Sequence, residues 1–236
     1  MGKKRSDATK GFDEVAMHEP ADAVRLVKSM ATAKFDETVD AVFNLSIDAR
    51  QAEQAVRGTV SLPHGTGKDV RVVVFAEGED AKAAQAAGAD LVGAADLAAS
   101  IESGAQSIDW DVTISHPSLM AEVGKLGKAL GPRGLMPNPK AGTVTTDIGK
   151  TVEEFKSGRV EYRNDRFGNV HVPIGKVSFD EERLIENFAA AVDELNRAKP
   201  ASSKGRYMKK LSLSSTMGPG VKVDPNTLDL LKDDPK

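Results

Sequence analysis

The residues best suited to bind an anion lie between positions 124 and 142, a segment with five glycines, three prolines, four cations and no acid. Glycines leave backbone N–H groups accessible, and the four cations favour an anionic neighbour such as phosphate. The alternative is a rigid interdomain loop with solvated lysines, and composition alone does not separate the two. The segment predicts a helix that ends near Leu130, followed by an ordered loop stiffened by Pro132, Pro137 and Pro139.

Two shorter segments, far apart in the chain, combine apolar side chains with hydrogen-bonding groups. In residues 34–38, KFDET, the aromatic ring can stack on a base while the neighbouring lysine meets phosphate. In residues 214–220, SSTMGPG, hydroxyls and a glycine-freed backbone suit ribose 2′-OH groups and phosphates at close range. Each segment also has a structural alternative: Phe35 would pack under a helix end, and residues 214–220 would simply end a strand.

The sequence lacks the motifs that carry catalysis or hold a metal. Its four histidines are scattered, with neither HExxH nor a pair at i, i+4, and it has no cysteine. It also contains neither a GxSxG elbow nor a GxxxxGK[ST] phosphate loop. We therefore expect a protein that is not an enzyme and uses no cofactor and no metal.

The composition is that of an ordinary globular protein, with 40% apolar residues, 28% charged residues and a net charge of −3. No apolar run approaches the roughly 18 residues that a membrane span requires, so we expect no membrane partner. Residues 199–222 nevertheless hold six cations and no acid. Because screening acts over about 8–10 Å, such a local basic face can bind a polyanion despite the acidic total.

The elements that must position these residues begin with a helix and a strand. Residues 20–34 have apolar side chains at helical spacing, whereas residues 39–47 alternate between apolar and mostly polar side chains. Such alternation is typical of a sheet covered on one face. From residue 68 the pattern changes to β-α-β-α-β-α, which predicts a small parallel sheet with helices on both faces.

After residue 158 the sequence pattern again resembles that of residues 20–47. Residues 160–162 and 170–174 predict a hairpin around a turn at 164–169, a long amphipathic helix follows over 180–199, and residues 206–213 form a strand. The sequence thus predicts two domains of mixed α+β and α/β class. A split α+β domain would comprise residues 1–67 and 158–236, and a three-layer, Rossmann-like α/β domain would be inserted at residues 68–157.

Five segments closely resemble the bacterial large-subunit ribosomal protein L-one family, which builds the mobile stalk beside the tRNA exit site. They lie in the same order along nearly the whole chain, so together they are far more specific than one short motif. They are TAKFDETV (32–39), VRGTVSLPHGTGK (56–68), LGPRGLMPNPKAGTV (130–144), EYRNDRFGNVHVPIGK (161–176) and STMGPG (215–220).

The resemblance implies a cytoplasmic, ribosome-associated structural protein of the large subunit that binds the 23S rRNA stalk through its split domain. It further implies assistance to the release of deacylated tRNA from the exit site, and repression of translation by binding the protein's own operon mRNA. Away from the ribosome the protein would be a monomer. Carried over by position, the RNA-binding residues would be Lys34, Phe35, Thr38, Ser214, Thr216, Met217 and Gly218, with Arg163 and His171 in the hairpin as additions.

Two other functions are consistent with the residues alone. The inserted α/β domain could hold a nucleotide at the point where its strand order reverses, as enzymes of this architecture do. Residues 68–157 carry nine lysines and arginines against thirteen acids, so they could instead attract basic protein partners.

Overall fold

The computed structural model of the protein describes residues 9–10 and 12–228. Backbone contacts divide the chain into two compact units. The first, which we call the split unit, comprises Met1–Gly67 and Val160–Lys236; the second, the inserted unit, comprises Lys68–Arg159. Helices and strands are mixed in both units.

The helices and strands follow in chain order. The first part of the split unit contains β1 (Met17–His18), α1 (Pro20–Met30), β2 (Thr38–Leu45) and β3 (Arg57–Ser61). The inserted unit contains β4 (Val72–Phe75), α2 (Gly78–Ala86), β5 (Leu91–Gly93), α3 (Ala95–Glu102), β6 (Val112–Ser115), α4 (Met120–Lys125), α5 (Gly127–Leu130) and α6 (Ile148–Ser157). The chain continues with β7 (Arg159–Arg163), β8 (Asn169–Lys176), α7 (Glu181–Arg197), β9 (Met208–Ser215) and β10 (Val221–Val223).

The main sheet of the split unit has the strand order β1-β10-β9-β2-β8. Strand β2 lies between β9 and β8 and is antiparallel to both. Its alternation is the one the sequence predicts, since Val39, Ala41, Phe43 and Leu45 are buried. Helices α1 and α7 cover this inner face, and Phe188 of α7 stacks on Phe43 with ring centroids 5.9 Å apart.

The opposite side of this sheet is partly exposed, and we call it the open face. It is formed by alternate residues of three neighbouring strands, because residues directly opposite in an antiparallel pair share a face. The rows that cross from β9 through β2 to β8 are Ser214–Asp40–Pro173, Ser212–Val42–His171 and Lys210–Asn44–Asn169.

The sheet of the inserted unit is closed on both faces. Its order is β5-β4-β6, and both strand pairs are parallel. All four residues of β4 are buried, as the continuous apolar run predicts. Val73 and Phe75 pack in one cluster with residues of α3, α4 and α5, whereas Val72 and Val74 pack in another with residues of α2 and α6.

The hairpin predicted around residues 164–169 is present only at its turn, and the prediction that its two strands pair with each other is wrong. Asn164 and Val170 form one antiparallel bridge, but β7 then pairs with β3 in a separate two-stranded sheet, and β8 pairs with β2. The backbone N–H of Asn164 donates to the Val56 carbonyl at 3.0 Å, which marks where the two strands separate. The apolar residues of β8 join the core beneath β2.

Helix α1 ends at Met30, four residues before the predicted end at Lys34. Ala31 is already extended, and the backbone N–H of Ala33 donates to the carboxylate of Glu37 at 2.9 Å instead of continuing the helix. Within the part of the chain that the structure describes, every helix is too short or too polar to cross a bilayer.

Candidate nucleic-acid interface

One buried carboxylate joins the two short segments that the sequence singles out. Glu37 is only 1% exposed. One of its oxygens accepts the Ala33 backbone N–H and the other accepts the Met217 backbone N–H, each at 2.9 Å. Residues 31–38 and 215–218, which we call the Glu37-linked loops, are therefore held together although they lie some 180 positions apart in the chain.

The electrostatics of Glu37 favour its ionised form. Burial by itself raises the pKa of this carboxyl. Hydrogen bonds from the backbone amides of Met217 and Ala33 are among the contacts that outweigh burial, and they hold the pKa below its ordinary value. Glu37 thus acts as a fixed acceptor that sets the shape of both loops at neutral pH.

Thr38 and Thr216 form the next contact between the two loops. The Thr216 hydroxyl oxygen accepts the Thr38 backbone N–H at 3.0 Å and donates to the Thr38 carbonyl at 3.4 Å. The Thr38 hydroxyl in turn accepts the Lys176 ammonium at 2.9 Å. Because that contact uses a lone pair of Thr38, its own O–H proton stays free to donate to a ligand. Thr216 mainly positions the loops, whereas Thr38 is the better external donor.

Phe35 and Met217 protrude from the Glu37-linked loops into solvent. Phe35 is 56% exposed and Met217 is 61% exposed. The alternative in which Phe35 packs under the end of the helix is therefore wrong. Lys34 is exposed beside Phe35. A cation, an aromatic ring and a flexible thioether are thus available together at one end of β2, the combination that stacks on and desolvates nucleotides.

Gly218 is required by a close approach within the second loop. A Cβ added to Gly218 would lie 2.5 Å from the Ser215 hydroxyl oxygen. Ser215 is only 4% exposed, so it has little room to move aside. Gly218 therefore lets the loop turn tightly directly after Met217, and its contribution is to backbone shape.

Ser214 and His171 lie on the open face rather than in the Glu37-linked loops. Ser214 is opposite Asp40, and His171 is opposite Val42 and exposed. Burial raises the pKa of Asp40, opposed by the nearby charges of His171 and Lys176. A half-buried acid thus lies among the polar side chains of this face.

Arg163 is not in the same sheet as the other predicted residues. It is the last residue of β7, which pairs with β3, and its side chain is exposed. The structure therefore brings Lys34, Phe35, Thr38, Thr216, Met217 and Gly218 together, adds Ser214 and His171 along the open face, and leaves Arg163 outside both groups.

Glu37, Lys176 and Asp40 contribute to this region although the sequence argument did not select them. The sequence did carry a signal for Glu37, because it is in phase with the buried residues Val39 and Ala41 of β2. A carboxylate at an inward position needs internal hydrogen-bond donors. Lys176 could be found only once the pairing of β8 with β2 was known, since that register sets it opposite Thr38.

The glycine- and proline-rich segment 124–142 belongs to the inserted unit and is well packed. Helix α5 ends at Leu130 as predicted, and Leu126 and Leu130 are buried in the core. The Arg133 guanidinium donates to the Ile108 carbonyl at 2.6 Å, and the Asn138 N–H donates to the Thr143 hydroxyl at 2.8 Å. These contacts give the segment a structural role in its own unit.

The described residues 9–10 and 12–228 contain no group of three or more His, Asp or Glu side chains arranged to hold a metal ion. At the carboxyl edge of the parallel sheet, where a nucleotide would be expected, Asp80 lies 3.8 Å from the His116 ring. Glu77 and Glu79 lie close to Asp80 in the sequence, and their negative charges would repel a phosphate.

A protein-family model matches most of the chain. The model described as the "Ribosomal protein L1p/L10e family" matches residues 27–219. The matched range includes both Glu37-linked loops and all three strands of the open face. Because the match covers most of the chain, the protein belongs to this family. Membership indicates a structural ribosomal protein that binds rRNA in the large subunit, rather than an enzyme.

Proposed function

We propose that this member of the ribosomal protein L1p/L10e family binds the 23S rRNA stalk through the Glu37-linked loops and the adjoining open face. The observation that carries the proposal is the joint attachment of both loops to the Glu37 carboxylate, which leaves Phe35 and Met217 more than half exposed. Exposed apolar side chains that lie together among polar groups are typical of interaction surfaces.

The mode of recognition would be mainly by RNA shape. The Thr38 hydroxyl offers a donor for ribose and phosphate oxygens, which identify a folded RNA with little reading of base edges. Phe35 and Met217 would exclude water from these hydrogen bonds and so strengthen them. Lys34 and Lys176 would supply a modest electrostatic attraction.

We extend the proposal to the finer roles that the family resemblance implies. Residues 1–67 and 158–236 would act as the RNA-binding domain and residues 68–157 as an inserted domain. The protein would be monomeric away from the ribosome and would work in the cytoplasm, bound to the large subunit. It would assist release of deacylated tRNA from the exit site, and an excess of it would repress translation by binding its own operon mRNA, which offers a similar RNA fold.

The deciding experiment measures binding of the full chain to an isolated 23S stalk fragment and to a plain RNA duplex of equal length at physiological salt. We expect tight binding to the stalk and weak binding to the duplex, because a regular duplex lacks the folded shape and the unstacked bases. Equal, weak binding to both RNAs would contradict the proposal.

Two variants locate the binding surface. Met217→Ala should weaken stalk binding by about tenfold or more, as expected for an apolar residue central to an interface. Its matched control is Met17→Ala, since Met17 is 65% exposed but lies on the edge strand β1. If both variants bind the stalk as tightly as the wild type, the surface is elsewhere.

The regulatory role has a separate test. A fragment of the protein's own operon mRNA should compete with the stalk for the same surface, so Met217→Ala should lose affinity for both RNAs in parallel. Repression in a coupled translation assay should then need a higher concentration of Met217→Ala than of wild type. Loss of stalk binding with intact mRNA binding would show that the two RNAs do not share a site.

A further inference from the structure

A second exposed aromatic ring lies at the tip of the turn between β7 and β8. Phe167 is 67% exposed, more than Phe35, and nothing above assigns it a role. An isolated exposed apolar side chain is common on protein surfaces and by itself indicates little. The surroundings of Phe167 are more informative than its exposure.

The turn that carries Phe167 is held in one shape. One carboxylate oxygen of Asp165 accepts the backbone N–H groups of Phe167 and Asn169, both at 2.8 Å, and the other accepts the Asn169 side-chain amide at 2.9 Å. The Gly168 carbonyl accepts the Leu45 backbone N–H at 2.8 Å, which ties the turn to the end of β2. Gly168 has φ +78°, and a Cβ there would come within 3.1 Å of the Leu45 carbonyl oxygen. The ring is therefore exposed on a preorganised backbone, so binding through it would cost little ordering entropy.

Cations accompany the ring. The Arg166 guanidinium lies 4.8 Å from the Phe167 ring centroid, a cation–π contact that leaves the other face of the ring available. On the open face beside the turn, Asn44 is opposite both Asn169 and Lys210, and Lys210 is exposed. The acid of the turn, Asp165, is engaged by the three hydrogen bonds within it.

We propose that Phe167 and Arg166 form a stacking platform for an unpaired base of the RNA that the open face binds. The platform lies at the opposite end of β2 from the Glu37-linked loops. Eight residues of strand separate the two ends by about 23 Å. An RNA that covers the whole open face would thus contact an exposed aromatic ring at each end. This inference rests on the proposed function.

An RNA base suits this position better than an apolar protein partner because of the chemistry between the two ends. The intervening rows are mostly polar: they hold Ser212, Ser214 and His171, a cation at Lys210 and one acid, Asp40. Their two apolar residues, Val42 and Pro173, belong to different rows. Small hydroxyls and cations match ribose and phosphate, whereas an apolar partner would leave them without hydrogen-bond partners. A single ring with a guanidinium on one face also matches a base, because every base has a π face.

The test compares substitutions that keep or remove an aromatic ring at one exposed position, using the full chain and the 23S stalk fragment. Phe167→Ala and Phe167→Leu should each weaken binding about tenfold, whereas Phe167→Tyr should stay within about twofold of wild type, because stacking needs a ring. Phe167→Trp adds a spectroscopic readout. The sequence has one tryptophan, Trp110, which is only 6% exposed, so fluorescence quenched by RNA in the variant would report stacking at position 167. Unchanged melting temperatures would confirm that the variants fold.

The outcomes separate this inference from the proposed function. If wild type binds the stalk and Met217→Ala weakens it while Phe167→Ala does not, the stacking platform is wrong and the ring is left for a protein partner. If Phe167→Leu binds like wild type, the contact is merely apolar and stacking is excluded. An equal loss on a fully paired duplex would also overturn the inference, because a duplex offers no free base face. Failure of wild type to prefer the stalk would refute the proposed function itself.

Discussion

The main sheet of the split unit and the sheet of the inserted unit differ in how many of their faces are buried. In the inserted unit, β4 is buried on both faces, so its hydrogen bonds and side chains are all engaged within the unit. In the split unit, β2 buries one face and leaves polar side chains along the other. Covering one face of a sheet is sufficient for a core, and the second face is then available for a partner. We therefore expect equivalent changes in the two units to affect stability and RNA binding differently.

The largest difference between the two units is expected when one carboxylate in each is replaced by an amide. Glu37→Gln keeps one acceptor oxygen but replaces the other by an NH₂ group that faces either the Ala33 or the Met217 N–H, so we expect the free energy of unfolding to fall by about 2–3 kcal/mol. For a chain of this size the melting temperature should drop by about 4–12 °C. Stalk affinity should fall more than tenfold because the loops lose their common attachment. Glu153→Gln, at an exposed position on α6, is the matched control and should change neither quantity.

The pH dependence of stability extends this test. The pKa of Glu37 is lowered on folding, so its contribution to stability is complete above the unfolded-state pKa of about 4.3 and is lost as the pH falls through the folded-state value. Wild type should therefore lose stability faster than Glu37→Gln in acid. Parallel stability curves for the two proteins below pH 5 would show that Glu37 is not the group responsible.

Alanine substitutions at two glycines should change the stability of the protein in opposite directions. Gly218→Ala places a Cβ 2.5 Å from the Ser215 hydroxyl oxygen, and we expect it to destabilise the split unit by about 1–2 kcal/mol and to weaken RNA binding. Gly124→Ala lies in α4, where a Cβ would meet no atom within 4 Å, so it should stabilise by about 0.5–1 kcal/mol through helix propensity. Thermal unfolding of both variants measures the contrast. A stabilising Gly218→Ala would mean that Ser215 has room to move.

A smaller effect is expected at two aspartates whose pKa values shift in opposite directions. Burial raises the pKa of Asp40, so its ionised form disfavours folding at neutral pH; Asp40→Asn should slightly stabilise the protein and strengthen stalk binding a few-fold. Burial also raises the pKa of Asp90, but hydrogen bonds from Lys156 and the Val72 amide outweigh it, so that pKa is lowered and Asp90→Asn should destabilise. Melting temperatures at pH 7 should show the opposite signs, and the difference should shrink below pH 4.

The smallest effect concerns salt. Recognition by hydrogen bonds and exposed rings uses few phosphate contacts, so the log–log dependence of stalk affinity on salt should have a slope of about −2 to −4. Lys176→Ala should make the slope shallower by less than about one unit, whereas Lys150→Ala in the inserted unit should leave it unchanged. A wild-type slope near −10 would contradict recognition by shape.

The sequence was sufficient for the local part of this structure and insufficient for its long-range pairings. The alternation of Val39, Ala41 and Phe43 and the apolar run in β4 correctly predicted one sheet covered on one face and one covered on both. The turn at residues 164–169 was also recognised, but the pairing of β7 with β3 was not, because periodicity identifies a strand without naming its neighbour. The local sequence pattern therefore predicted the fold class of mixed helices and strands, but it did not predict which strands pair or in what register.

The candidate site was foreseen in outline by resemblance and chemistry together. Phe35 and Met217 were singled out because an aromatic ring beside a lysine and a glycine-freed loop suit RNA, and their roles remain predictions. Glu37 was missed as the group that holds them, because its importance depends on a hydrogen bond to Met217 that only the folded chain reveals. Arg163 and His171 were carried over by resemblance to the family and placed in one predicted hairpin. Because β7 pairs with β3 and β8 pairs with β2, the two residues lie in different sheets.

The hydrogen bond between Glu37 and Met217 also has a consequence for the timing of synthesis. The two residues are 180 positions apart, so a ribosome adding about 5–20 residues per second needs roughly 9–36 s to make the second after the first. During that interval the nascent chain carries Phe35 without its partner loop, so the proposed RNA-binding surface is incomplete. If the proposed function holds, a growing chain would be kept from binding its own message until β9 has been made.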